Sequence, residues 1–133
     1  MKVFVYGTLQ RGHGNHHILE DHKLVGPATT VTKYAMMNVG FPYMLNQAEG
    51  AYPCVGELWD IGDCQVTLAR LDRLEGVGRG HYDRVKGEVV CNGKRYKADY
   101  YVKCNDSNRV YDADLLIQPV NGVLRWQREN VYE

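Results

Sequence analysis

Residues 55–76 read VGELWDIGDCQVTLARLDRLEG, and this stretch decides the fold class. Over 55–61 the side chains alternate: Val55, Glu57, Trp59 and Ile61 face one way, and Gly56, Leu58 and Asp60 the other. A period of two is the mark of a strand. After Gly62 the period changes. Cys64, Leu68, Leu71 and Leu74 recur at helical spacing and form one apolar stripe. The pattern predicts a helix from Asp63 to Glu75, with Asp63 as N-cap and Gly76 as its left-handed stop.

Working outward, Val3–Tyr6 is a continuous apolar and aromatic run halted by Gly7, the pattern of a central buried strand. Residues 7–14, GTLQRGHG, read as a loop whose three glycines can take positive φ. Asn15 is placed to cap a short helix through His16–His22 that carries Ile18 and Leu19. Val25–Val39 reads as one or two strands interrupted at Gly26-Pro27. Phe41–Leu45 is extended, because Pro42 keeps Phe41 out of the helical region. Downstream, Tyr82–Val90 and Lys94–Lys103 pair around Asn92-Gly93, a strong hairpin turn. Asn121-Gly122 marks another turn, and RWQREN at 125–130 reads as a polar tail anchored by its tryptophan. Many short strands with two helices give an α+β class, either a small curved sheet or a barrel. We expect residues 1–133 to be a single domain, with a less defined tail from about 105.

Composition narrows the function. Sixteen basic residues balance sixteen acidic ones, whereas nucleic-acid binding normally demands a basic surplus. With 44% hydrophobic and 24% charged residues the chain is globular in type, not disordered. No apolar run approaches the roughly 20 residues that cross a bilayer. Cys54, Cys64, Cys91 and Cys104 show no Cys-x-x-Cys pair, which argues against a zinc ribbon or redox dithiol. No signal-peptide apolar region precedes Gly7, so free thiols in a reducing cytoplasm are the expectation.

Several constellations carry little. His13, His16, His17, His22 and His81 lack metal-ligand spacing, and exposed or cap-region roles suffice, so no metal is expected. Gly12-His13-Gly14 lacks the third glycine of a dinucleotide fingerprint. Gly76-Val77-Gly78-Arg79-Gly80 follows a helix where phosphate cradles follow a strand. There is no Gly-x-Ser-x-Gly, and Ser107 is the only serine. An enzyme built on this chain would work without a covalent intermediate.

Glu75 differs from these. On the helical wheel it falls within the apolar stripe, between Leu68 and Leu71, with Arg70 and Arg73 on the far side. It also sits in the last turn, where the helix dipole disfavours negative charge. Burial and dipole both raise a carboxyl pKa, toward one able to exchange protons near neutrality. The structural alternatives are that Glu75 swings into water at a frayed end, or that Arg79 or Arg84 pairs with it. Tyr6-Gly7-Thr8-Leu9 is the second candidate. A strand ending in Gly exposes backbone N–H groups able to hold a carboxylate or a developing oxyanion. A plain strand-and-turn is the alternative.

VFVYGTLQRGHGNHHIL at 3–19, PYML at 42–45, VGELWDI at 55–61 and LDRLEG at 71–76, followed by Tyr82, Arg84 and Val85, occur in this order. Together they resemble the gamma-glutamylcyclotransferase-like superfamily, in its gamma-glutamylamine cyclotransferase (AIG2-like) branch, over roughly residues 2–103. The resemblance implies a compact, small mixed β-barrel with flanking short helices and a cavity at one end. It implies Glu75 as general acid/base, and a Tyr6–Leu9 loop that holds a gamma-glutamyl group through main-chain groups of Gly7, Thr8 and Leu9. Tyr82 would line the same pocket. The implied activity is cyclisation of a gamma-glutamyl amide to 5-oxoproline with release of the amine. The implied partner is a small-molecule gamma-glutamyl substrate, with no cofactor, nucleic acid or membrane. Thr8-Leu9 is closer to the amine branch than to glutathione-acting branches. Two alternatives keep the same residues: a non-catalytic small-ligand-binding protein, and cyclising deprotection of a gamma-glutamylated biosynthetic intermediate. The sequence leaves the oligomeric state open.

Overall fold

The computed structural model describes residues 1–45, 51–78, 81–103 and 113–126. Its strands are β1 (Lys2–Val5), β2 (Lys23–Asn38), β3 (Pro42–Leu45), β4 (Tyr52–Asp60), β5 (Tyr82–Cys91) and β6 (Lys94–Lys103). One α-helix, α1, spans Gln65–Leu74. The sheet runs β3-β2-β4-β1-β6-β5, and β2 also pairs with β5. That last pairing, Ala28–Thr30 against Val89–Cys91, closes β2, β4, β1, β6 and β5 into a five-stranded barrel. Among the described barrel strands only the β1–β6 pairing is parallel, so the barrel is mixed.

The predicted interruption at Gly26-Pro27 is a shift of register inside one long strand. With a second shift between Thr29 and Lys33, it lets β2 curve from β4 to β5 and on to β3. Bulges bend a strand and steepen its twist, which a closed barrel of this size requires. The β5–β6 hairpin turns through Asn92 and Gly93, both at positive φ (53° and 79°). That is the geometry for which Asn-Gly is favoured.

Alternate residues of each strand supply two apolar clusters. Phe4, Leu58, Ala98 and Tyr100 fill the barrel with Met36, Met44 and Val89. Val3, Val5, Trp59 and Tyr101 point outward and are covered by Leu68 and Leu71 of α1 and by Ile18 and Leu19. Burying each such leucine is worth roughly 1.5–3 kcal/mol, which fixes α1 against the β1 face of the barrel.

Several sequence expectations need correction. The helix begins at Gln65 with Cys64 as N-cap. Gly62 (φ +60) makes a left-handed turn first, so Asp63 stands one position too early to cap. The segment after Asn15 is only a 3-10 turn, His16–Ile18, without a side-chain cap. The Asn15 amide instead donates to Thr8 Oγ1 at 2.9 Å. Of the three loop glycines only Gly12 has positive φ. Trp126 is buried as expected and donates to Asn38 Oδ1 at 3.1 Å. Residues 127–130 of the RWQREN stretch, and Cys104, lie outside the described residues. Cys54, Cys64 and Cys91 are free thiols. No described helix is long and apolar enough to cross a membrane.

Candidate active site

Where β1 runs out, the chain turns at Gly7, and the loop that follows shares a cavity with the C-terminal end of α1. A cavity of about 260 Å³ opens there, lined by Tyr6, Gly7, Thr8, Leu9, Glu75 and Tyr82 among others. All six residues singled out in the sequence therefore face one space, although 66 positions separate Leu9 from Glu75 in the chain.

Gly7 belongs here for a steric reason. A Cβ on it would lie 2.7 Å from Pro42 Cγ and 3.0 Å from Pro42 Cδ, inside contact distance. The absent side chain lets Pro42 close one wall of the cavity, and the Pro42 carbonyl accepts the Tyr82 hydroxyl at 2.7 Å. The loop then folds on itself. The Gln10 N–H donates to Gly7 O (3.1 Å) and the Asn15 N–H to Thr8 O (3.0 Å). Among the described residues, the amides of Gly7, Thr8 and Leu9 are donors in none of the loop's bonds. A cluster of uncommitted N–H groups is suited to holding anionic oxygen.

Glu75 is the C-cap of α1, its N–H bonded to Leu71 O at 3.0 Å. Gly76 follows at φ +66 and ends the helix there, and Glu75 lines the cavity at that end. The side chain is half-buried and, among the described residues, pairs with no cation. Burial pushes its carboxyl from 4.5 up to about 7, because removal from water disfavours the charged form. Three tyrosines surround it. Burial and the neighbouring Tyr82 and Glu75 hold the Tyr6 phenol well above its usual value. Burial followed by Glu75 does the same to Tyr82. Both phenols therefore remain protonated, and both already donate: Tyr6 to Tyr101 O at 2.6 Å, Tyr82 to Pro42 O.

The pairing of Glu75 with Arg84, one of the alternatives left open, does not occur. Arg84 reaches Asp72 and Asp99, each at 3.4 Å. Arg79, the other alternative, lies outside the described residues. Leu74, expected in the buried stripe, is 42% exposed at the cavity mouth, being in the last turn and at the stripe's edge. Pro42, Phe41, Asn15 and Tyr101 also line the cavity, and pattern reading did not find them.

Three histidines pack on neighbouring side chains: the His13 ring lies tilted against Trp126 and that of His16 against Trp59, while His22 Nε2 lies 2.8 Å from Thr67 Oγ1. Among the described residues no three His, Cys, Asp or Glu side chains converge as a metal site requires.

Comparison with known proteins agrees with this architecture. A family model described as "Gamma-glutamyl cyclotransferase, AIG2-like" matches residues 3–118. A candidate gamma-glutamylcyclotransferase of Arabidopsis thaliana is 39% identical over 90 residues, 62% of this chain and 47% of that protein. Another, from Methanocaldococcus jannaschii, is 36% identical over 101 residues, 74% of this chain and 81% of its own length. The chain thus spans about half the length of the plant relative and most of the archaeal one. The crystal structure of an AIG2-like protein from Mus musculus superposes with a TM-score of 0.71 at 23% identity. That superposition covers 95% of this chain and 94% of the mouse protein, a likeness of fold.

Proposed function

The chain belongs to the gamma-glutamyl cyclotransferase, AIG2-like family, and from that premise we propose a gamma-glutamylamine-type cyclotransferase in which Glu75 is general acid and base. The observation that carries the proposal is a half-buried carboxyl, pushed up to about 7 and paired with no cation among the described residues, beside a loop whose Gly7, Thr8 and Leu9 amides are uncommitted there. A pKa near the working pH suits a group that must both accept and return a proton.

The chemistry asks little of the protein. The substrate's α-amine attacks its own γ-carbonyl carbon, and the amide C–N bond breaks to leave 5-oxoproline and a free amine. Holding the glutamyl chain folded converts this attack into a favoured intramolecular step, worth several kcal/mol. Glu75 takes a proton from the α-ammonium, freeing the nucleophile, and passes it to the departing nitrogen. The ring nitrogen sheds its second proton as the lactam forms, and the released amine leaves as an ammonium ion. Gly7, Thr8 and Leu9 amides hold the tetrahedral oxyanion, where one donor is worth roughly 3 kcal/mol in other systems. Tyr6 and Tyr82 shape the walls around the glutamyl chain. The nucleophile arrives with the substrate, so neither cofactor nor protein nucleophile is needed.

The test is 5-oxoproline release from a panel of gamma-glutamyl compounds, wild type beside Glu75→Gln. Activity in the wild type and its loss in the variant support the mechanism. A wild type inactive across the panel, or a fully active variant, overturns it; binding without turnover, unaffected by Glu75→Gln, would indicate a ligand-binding protein.

A further inference from the structure

We infer, resting on the cyclotransferase reading above, that Glu57 is a positioning residue: it clamps the 7–14 loop to the barrel wall and so keeps the Gly7, Thr8 and Leu9 amides in place at the cavity. A loop with glycine at three of its eight positions loses much conformational freedom on being ordered, so it needs anchors. Its own turn bonds, Gln10 N–H to Gly7 O and His13 N–H to Gln10 O, shape it from within.

An anchor from outside stands on β4. Glu57 is in register with Val5, the last residue of β1, so it lies beside the point where the loop departs. Gly56 keeps the two strands close: a Cβ there would run into Val5 O and come within 2.9 Å of the Phe4 ring. From this platform Glu57 Oε1 accepts the Arg11 backbone N–H at 3.0 Å, and Oε2 accepts Arg11 Nε–H at 2.9 Å. Trp59, two residues along the same face, donates its Nε1–H to Oε1 at 3.2 Å and holds the carboxylate in place. The Trp59 indole also packs against the His16 ring with centroids 5.1 Å apart, and His16 Nδ1 lies 3.1 Å from Leu9 O. A carbonyl only accepts, so Nδ1 carries the hydrogen. The loop is thus held at Arg11 by Glu57 and at Leu9 through Trp59 and His16.

An ordinary surface ion pair contributes little, and Arg11 is 56% exposed. Glu57 is different: its side chain is 12% exposed, and one of its bonds goes to the main chain. A bond to a backbone N–H fixes the path of the loop itself, and the acceptor's charge strengthens it. Leu9 lies two positions before that bond. A slack clamp therefore misplaces the amides, and an error of about 1 Å in a reacting site can cost on the order of a hundredfold in rate.

The experiment sets Glu57→Ala and Glu57→Gln beside wild type on the gamma-glutamyl compound that wild type turns over fastest. It also measures ¹⁵N order parameters for Gly7, Thr8 and Leu9. We expect kcat per folded molecule to fall by on the order of a hundredfold in Glu57→Ala. KM should move far less, because oxyanion contacts act in the transition state. The three order parameters should drop from about 0.85 to below about 0.6. Glu57→Gln keeps an acceptor for the Arg11 N–H and loses the charge, so about a tenfold fall in kcat is expected. If Glu57→Ala does not fold, Glu57→Gln decides on the same two readouts. A merely structural ion pair would lower the melting temperature and leave both readouts as in wild type, which overturns the inference. A fall in kcat with an equally ordered loop overturns it too. If wild type turns over no compound, the cyclotransferase reading falls, and the order parameters alone decide whether Glu57 holds the loop.

Discussion

Asp72 and Glu75 lie three residues apart at the end of one helix, yet their surroundings are opposite. Asp72 accepts the Tyr101 hydroxyl at 2.7 Å and faces Arg84, which continues to Asp99, itself 2.9 Å from Lys86. Two carboxylates and two cations there satisfy one another on the outer wall of the barrel. Glu75, just beyond, is enclosed by Tyr6, Tyr82 and Tyr101 and has no cation among the described residues. The paired cluster fastens the helix to β5 and β6. The unpaired carboxyl is thereby held in a place it would not favour in charged form. Binding of this kind converts stability elsewhere into an available proton acceptor.

Breaking the unpaired side has the largest expected effect. Glu75→Gln should lower 5-oxoproline release by roughly a hundred- to ten-thousand-fold. Its melting temperature at pH 8 should be no lower than wild type, because the amide removes a charge that burial penalises. Calorimetry and the product assay together check both halves.

The next effect is pH dependence of stability. Glu75 titrates at about 7 in the folded protein against 4.5 in the unfolded chain. A raised pKa means its contribution is fully present below about pH 4.5 and is lost as pH rises through about 7, up to roughly 3 kcal/mol in all. Denaturant unfolding at pH 5 and pH 8 should show this loss in the wild type and not in Glu75→Gln.

On the paired side, Arg84→Met leaves Asp99 with Lys86 and Asp72 with Tyr101. Arg84 is 31% exposed, so solvent softens the loss, and about 2 kcal/mol of destabilisation is expected. The drop in activity should be much smaller than for Glu75→Gln. The smallest effect belongs to Tyr82→Phe, which removes one hydrogen bond to Pro42 O. About 1 kcal/mol of stability and a severalfold rise in KM should follow.

The same contrast explains what the sequence could tell. Glu75 was legible because a ten-residue helix is long enough for its period to place one side chain among Leu68 and Leu71. The strand alternation at Val55–Ile61 and the Asn92-Gly93 turn were legible for similar local reasons. Barrel closure was not, since it rests on two register shifts in β2 and a pairing between residues some sixty positions apart. Pro42, Asn15 and Tyr101 reach the cavity through tertiary contacts with Gly7, Thr8 and Tyr6 that leave no periodic trace. Tyr82 was indicated by resemblance alone. Arg84 shows the converse: a basic residue on a strand gives no sign of which nearby carboxylate it will meet.

Burial, with no cation beside it among the described residues, makes the Glu75 carboxyl titratable near neutrality. Its carbon resonance, followed by NMR across pH in the ¹³C-labelled chain and assigned by its loss in Glu75→Gln, measures this directly. A midpoint near pH 7 is the predicted result. A midpoint near 4.5, that of an ordinary glutamate in water, would contradict it.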